Sequence, residues 1–350
     1  MAVDHVHAEE LVGPRPPGRA GRWSATLAIV AAMVVAGVLF ARFAGGGSVA
    51  RLNTFVLVFS SLLVQALPFV LIGAVVSAGI EVFVRPSFLA RLAGLPARTQ
   101  LPVAALSGLA FPLCECGSVP VARRLAAKGM SGGAAVAFML AAPVINPIVL
   151  VSTAIAYRGR SILWLMVAGR FAVGVIAAVA VGWVVWTQGR TQLIRGGGHE
   201  AGPVGATRAD EPRATTPNRT AEYLRHFSND TMFMARYLIV GAAAAAALQS
   251  LVPQSVLRSV GGVPVVDVLA MMALAALLSL CSESDAFVAA SFVQFGAAPQ
   301  LAFLLVGPMF NVKLAALYAG TFSRRFLRTV AIVVLTVVFV AGLWIEVFVR

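Results

Sequence analysis

Apolar residues come in long blocks along this chain, and polar residues gather in short breaks between the blocks. Apolar stretches cover residues 24–43, 53–84, 101–125, 132–157, 162–186, 232–252, 265–294, 301–319 and 329–348. At about 1.5 Å per residue, blocks of this length match the roughly 30 Å hydrocarbon core of a bilayer. Barrel strands would alternate instead, and in hydrocarbon only helices or closed barrels satisfy every backbone group. The pattern therefore predicts an all-α polytopic membrane protein. Composition points the same way: 59% of residues are hydrophobic and 12% charged, against about 45–50% and about 25% in soluble domains. A soluble enzyme on a single anchor is excluded.

Two blocks are interrupted at their centres, one by F-P-L-C-E-C-G-S-V-P and the other by C-S-E-S-D. Around these breaks the chain repeats itself. The first half runs Gly73, Gly94-Leu95-Pro96, Cys114, Gly129, Ala137-Phe138, Pro143, Asn146; the second runs Gly241, Gly262-Val263-Pro264, Cys281, Gly296, Ala302-Phe303, Pro308, Asn311. Apolar low complexity can imitate hydropathy symmetry, but not this ordered set of Gly, Pro, Cys and Asn. The expected organisation is a disordered cytoplasmic tail over 1–22, polar and rich in proline, then an extra N-terminal transmembrane helix and loop over 23–52. A first repeat follows over 53–186, a polar cytoplasmic linker over 187–231, and a second repeat over 232–350.

Charge decides how the interrupted blocks should cross. The net charge is +13, from 27 basic and 14 acidic residues. If both interrupted blocks span fully, the basic residues divide almost evenly between the two sides. If both are re-entrant hairpins, Arg15, Arg85, Arg98, Arg123, Arg124, Lys128, the linker arginines, Arg324, Arg325, Arg328 and their neighbours fall on one side. Only Arg42, Arg51, Arg158, Arg160, Arg258 and Arg350 then face the other. The positive-inside rule favours hairpins, with N-terminus and linker cytoplasmic. Three spanning helices plus one hairpin per half give two repeats of inverted topology, a plan in which broken helices bring binding sites to the midplane.

The residues at the breaks carry the candidate chemistry. Cys114, Cys116 and Cys281 are the only thiols in the chain, and soft thiolates select soft metals and metalloids. Glu115, Glu283 and Asp285 are carboxylates at predicted membrane depth, each costing about 2.5–3.5 kcal/mol unless paired or hydrated. They are candidates for proton coupling, with Arg170 and Lys313 as charge partners. Asn146 and Asn311 interrupt two further apolar blocks and are read as lining the substrate cavity. Gly117, Pro120, Gly129, Pro143, Pro147, Gly296 and Pro308 are the candidate hinges or helix breaks. His5, His7, His199 and His226 fall in the tail and linker, where a solvated role is expected. No Walker A motif follows either lysine, so transport must draw on a gradient or a partner.

The run C-E-C-G-S-V-P-V-A-R-R-L-A-A-K-G-M-S-G-G-A-A-V-A-F-M-L-A-A-P-V-I-N-P, with L-C-S-E-S-D-A-F-V-A-A-S-F and G-P-M-F-N-V-K after the linker, resembles the predicted-permease family that includes the ArsP-type organoarsenical exporters. The resemblance covers about residues 54–348. It implies a multi-pass inner-membrane permease, with Cys114 and Cys116 as candidate metal or metalloid ligands; Glu115 stands where the family commonly has a small residue. The leading expectation is a secondary-active exporter of a small inorganic or organometallic thiophile, a soft metal ion or trivalent organoarsenical. Lipid, that substrate and a co-encoded accessory subunit are the expected partners; no cofactor and no nucleic acid are called for. The alternatives are a membrane subunit of a two-component complex without transport of its own, and an intramembrane thiol oxidoreductase.

Overall fold

Two of the apolar blocks are broken once and are the most deeply buried, and the other helices gather around them. The computed structural model describes residues 48–83, 95–111, 113–127, 130–188, 219–251 and 264–349. The chain divides into two units, Met1–Leu52 and Asn53–Arg350, and the account below concerns the second. The expected tail, the block over 24–43, Gly129 and most of the expected linker lie outside the described residues.

The helices are α1 (Ser48–Phe83), α2 (Ala97–Leu106, followed by a 3-10 turn, Ser107–Ala110), α3 (Glu115–Ala127), α4 (Gly132–Ile145), α5 (Pro147–Ala156) and α6 (Leu163–Gln188). After the linker come α7 (Arg219–Leu251), α8 (Pro264–Leu278), α9 (Asp285–Ser291), α10 (Ala297–Met309), α11 (Val312–Thr321) and α12 (Arg324–Val349). The order is the same on both sides: one long helix, a pair interrupted by a cysteine-bearing break, a broken helix and a closing helix. Six helical stretches are long and apolar enough to cross a membrane, and no β-strand occurs among the described residues. The protein is thus an all-α, multi-pass membrane protein.

Burial sorts these spans into an inner pair and an outer shell. The most apolar windows of α4–α5 and α10–α11 are 78% buried, against 17% for α1 and 22% for α12. Every residue from Gly133 to Ile145 and from Ala298 to Met309 is buried, as befits helices that are apolar on all sides. α4 packs on α2, α6 and α10, and α10 packs on α8 and α12. α1 instead buries one stripe, Leu62, Ala66, Val70, Ala74, Ser77 and Ala78. Its Val56, Leu57, Val64 and Leu67 stay exposed, a face suited to lipid.

Asparagine caps, rather than proline, make the breaks in the inner pair. The Asn146 side chain accepts from the N–H groups of Ile148 (2.7 Å) and Val149 (3.4 Å), and Pro147 occupies the first position of α5, where its missing N–H costs nothing. Asn311 accepts from the N–H of Leu314 at 2.7 Å and starts α11 in the same way. Pro143 and Pro308, expected at the breaks, lie inside α4 and α10; each removes one helical hydrogen bond without ending the helix. Gly296 caps the start of α10.

Gly117 and Pro120 also differ from expectation. The first cysteine-bearing break falls before Glu115, so both residues lie within α3. The two helices approach closely there: a Cβ on Gly73 of α1 would come within 2.5 Å of the Gly117 Cα, and a Cβ on Gly117 would lie 3.1 Å from the Gly73 Cα. α7 begins at Arg219, inside the stretch 187–231 read as linker. Its first turns are polar on the buried face as well as the exposed one, so hydropathy gives no sign of them.

That polar face explains itself in three dimensions. Asp230 Oδ2 accepts from Arg124 Nε (3.0 Å) and Nη2 (2.7 Å) and from the Ser77 hydroxyl (2.7 Å). His226, one turn earlier and buried rather than solvated, places Nδ1 3.5 Å from Arg124 Nη2. α1, α3 and α7 are joined at this point. Removing one partner from a buried pair costs about 3–5 kcal/mol, because the other charge is left uncompensated. Asp230→Ala is therefore expected to lower stability by about that amount, and Arg124→Met/Asp230→Leu to recover most of it, read by thermal unfolding of the purified protein in detergent.

Candidate functional site where the two breaks meet

Each cysteine-bearing break is held open by local hydrogen bonds. In the first, Leu113 and Cys114 lie outside any helix before α3 starts at Glu115; the Leu113 carbonyl accepts from Asn146 Nδ2 at 3.4 Å. In the second, α8 ends at Ser279, whose φ of +50° is left-handed, a conformation that non-glycine residues seldom adopt. The Cys281 carbonyl then accepts from the N–H groups of Ser284 and Asp285, both at 3.0 Å, and α9 begins.

The two breaks touch at equivalent positions. Aligning Cys114 with Cys281 places Glu115 opposite Ser282 and Cys116 opposite Glu283. The Cys114, Cys116 and Cys281 side chains lie in one buried cluster, and the Ser282 hydroxyl donates to Glu115 Oε2 at 3.3 Å. Duplicated residues thus pair across the seam between the halves. All three cysteines are free and buried, in a cluster with Ala66 and Val70 of α1 and Met234 and Leu238 of α7.

Charged side chains surround the thiols on the other side. Lys313 Nζ lies 2.8 Å from Glu115 Oε1. Arg170 grips Asp285 with both arms, Nη1 to Oδ1 and Nη2 to Oδ2, each at 2.8 Å. It also donates to Thr153 Oγ1 (3.0 Å) and the Ser282 carbonyl (3.2 Å). These four charged residues are at most 3% exposed, so desolvation is tolerable only because each is paired and hydrogen-bonded. Ser282 links the two pairs, its hydroxyl on Glu115 and its carbonyl on Arg170. Among the described residues Glu283 has no ion pair: Oε2 accepts from Cys281 Sγ at 2.8 Å, while Oε1 is buried without a hydrogen-bond partner.

Of the residues predicted from sequence, Cys114, Cys116, Cys281, Glu115, Glu283, Asp285, Arg170 and Lys313 come together here. Asn146 and Asn311 do not present free amides to a cavity. Their carbonyl oxygens cap α5 and α11, and their Nδ2 groups donate to the carbonyls of Leu113 and Gly307. Ser282 and Thr153 are the additional members. The sequence marks Ser282 only through its register with Glu115, and Thr153 not at all. Chemically, three thiols and two carboxylates converge: one ligand atom each from Glu115, Cys281 and Glu283 lies within 4.8 Å of the others, a mixed soft and anionic donor set.

Residues 51–347 match the family model described as predicted permease (ArsP_1). The chain belongs to this predicted permease family. The permease is 36% identical over 299 residues to the UPF0718 protein YcgR of Bacillus subtilis (strain 168), covering 83% of this chain and 96% of that protein. It is 35% identical over 271 residues to a protein of Streptococcus mutans serotype c named "Putative two-component membrane permease complex subunit", covering 77% and 87% respectively. No solved structure matches it.

The network ranks its members. Ser282→Ala removes a hydrogen bond to a buried carboxylate and is expected to cost about 1.5–3 kcal/mol. Glu283→Gln neutralises a carboxylate that has no ion pair among the described residues, and is expected to leave the permease equally stable or more so. Thermal unfolding of the two variants beside the wild type checks the order.

Proposed function

We propose that this permease is a secondary-active exporter of a thiophilic species, a soft metal ion or a trivalent organoarsenical, bound where the two breaks meet. The observation that carries the reading is that every thiol of the chain lies in one buried cluster built from both halves. Scattered structural cysteines have no reason to converge in this way, whereas a soft cargo needs several sulfur donors at one point. In this reading each half contributes three crossings and one re-entrant pair, α2–α3 and α8–α9, so the halves have inverted topology and the N-terminal side faces the cytoplasm. Rocking of one half against the other would expose the thiols alternately. Glu115, Glu283 and Asp285 exchange protons with the cavity as the cargo comes and goes.

The S. mutans relative's printed name favours a second reading, in which the chain forms the membrane part of a two-component complex. The two readings differ in whether the purified chain transports alone.

Proteoliposomes holding only this protein are expected to move methylarsenite or Ag(I), but not Mg²⁺, down an imposed pH gradient. Cys114→Ser is expected to lower that flux at least tenfold at unchanged protein level. Full flux in Cys114→Ser removes the thiol mechanism; flux that appears only when a second co-encoded protein is added selects the two-component reading.

A further inference from the structure

The two buried cations at the site are held very differently. Arg170 is fixed by a two-armed grip on Asp285 and by further bonds to Thr153 and the Ser282 carbonyl, and a planar guanidinium fork keeps such a geometry. Lys313 carries a compact charge on a flexible stem and has one hydrogen bond, to Glu115. Beside that stem lies a cavity of about 10 Å³, lined by Val70, Cys116, Met234 and Leu238 among others, room for about one water. The lysine is also no part of the duplicated frame. Register on the two asparagine caps places Ile148 opposite Lys313, and α5 is capped and packed without a cation there.

Charge accounting gives this difference a purpose. Glu115, Glu283 and Asp285 face Arg170 and Lys313, and Asp285 is committed to Arg170. Lys313 is paired with Glu115 alone, and Glu115, Glu283 and Cys281 already offer ligand atoms within 4.8 Å of one another. Were Lys313 to swing off Glu115, two carboxylates and a thiol would face one point, with Cys114 in the same buried cluster as that thiol. One singly charged soft cation would then restore the charge that the ammonium had supplied.

Resting on the transport reading above, we propose that Lys313 is a resident counter-ion, which holds Glu115 between cargo cycles and is displaced from it by a soft monovalent cargo cation. Cargo binding is thereby an exchange of one cation for another, and release is assisted by the returning ammonium. The buried pair never has to pass through a state with an uncompensated carboxylate.

Lys128 and Lys313 are the only lysines in the chain, so a Lys128→Arg protein labelled with ¹⁵N-lysine reports on Lys313 alone. In nanodiscs and chloride-free buffer, the Lys313 ammonium resonance is expected to shift, and its protons to exchange faster, as Ag(I) is added to one equivalent. Lys313→Met is expected to bind Ag(I) at least tenfold tighter than wild type, because the competitor is gone, yet to export it more slowly. Ag(I) binding with an unmoved ammonium resonance overturns the exchange, and that measurement stands even if Lys313→Met does not fold. Methylarsenite binding without Ag(I) binding overturns it too, while leaving the thiol site intact. Failure of both thiophiles to bind overturns the transport reading and the exchange together.

Discussion

A buried ion in an apolar bundle needs a partner, and three buried ion pairs here join one half to the other. Glu115 of α3 meets Lys313 of α11, Arg170 of α6 meets Asp285 of α9, and Arg124 of α3 meets Asp230 of α7. Lesser contacts follow the rule: Tyr157 donates to Gln300 at 2.8 Å and Arg160 to the Ala290 carbonyl at 2.8 Å. Between helices surrounded by lipid, hydrocarbon burial gives little drive toward one particular association, because lipid tails are as apolar as leucine. Polar groups that would otherwise be stranded supply the specificity. The apolar packing of α4 and α10 makes the halves adhere, while the ion pairs fix the register in which they do so.

The same constraint places the candidate site. Ion pairs that cross the seam concentrate buried polar side chains there, and the helical breaks add the three thiols to that same layer. Broken backbone inside a membrane protein is tolerated where it is buried in protein or lines a cavity, and the caps at Asn146 and Asn311 show how the cost is limited. The two asparagines therefore serve the site indirectly. Asn146 both starts α5 and steadies the carbonyl beside Cys114, which positions the first thiol without touching anything that binds to it.

Much of this architecture was legible in the sequence because it rests on patterns that hydropathy and spacing record. Block lengths gave the spans, and the ordered Gly, Pro, Cys and Asn gave the two breaks and the residues that gather at them. What stayed hidden depends on partners far along the chain. His226 and Asp230 read as linker because a polar helix face looks the same whether water or Arg124 covers it. Gly117 and Pro120 read as a turn, since glycine and proline mark turns more often than close helix contacts such as that of Gly117 with Gly73. Which carboxylate takes which cation could not be read at all: both pairs join residues more than a hundred positions apart.

The three seam pairs also differ in what they can do. Arg124 and Asp230 are tied to Ser77 and lie near His226, away from the thiols; the pair joins three helices and has no cargo ligand in it. Arg170 and Asp285 are held by several hydrogen bonds to each other and to the second break, so they keep that break in shape around Ser282. Only Glu115 combines a place between two cysteines with a single flexible cation and a carboxylate neighbour that has no ion pair among the described residues. A seam made solely of pairs like Arg170 and Asp285 would be stable and inert. Binding chemistry requires that one pair be held by fewer bonds than the rest, and in this chain that pair sits between the thiols.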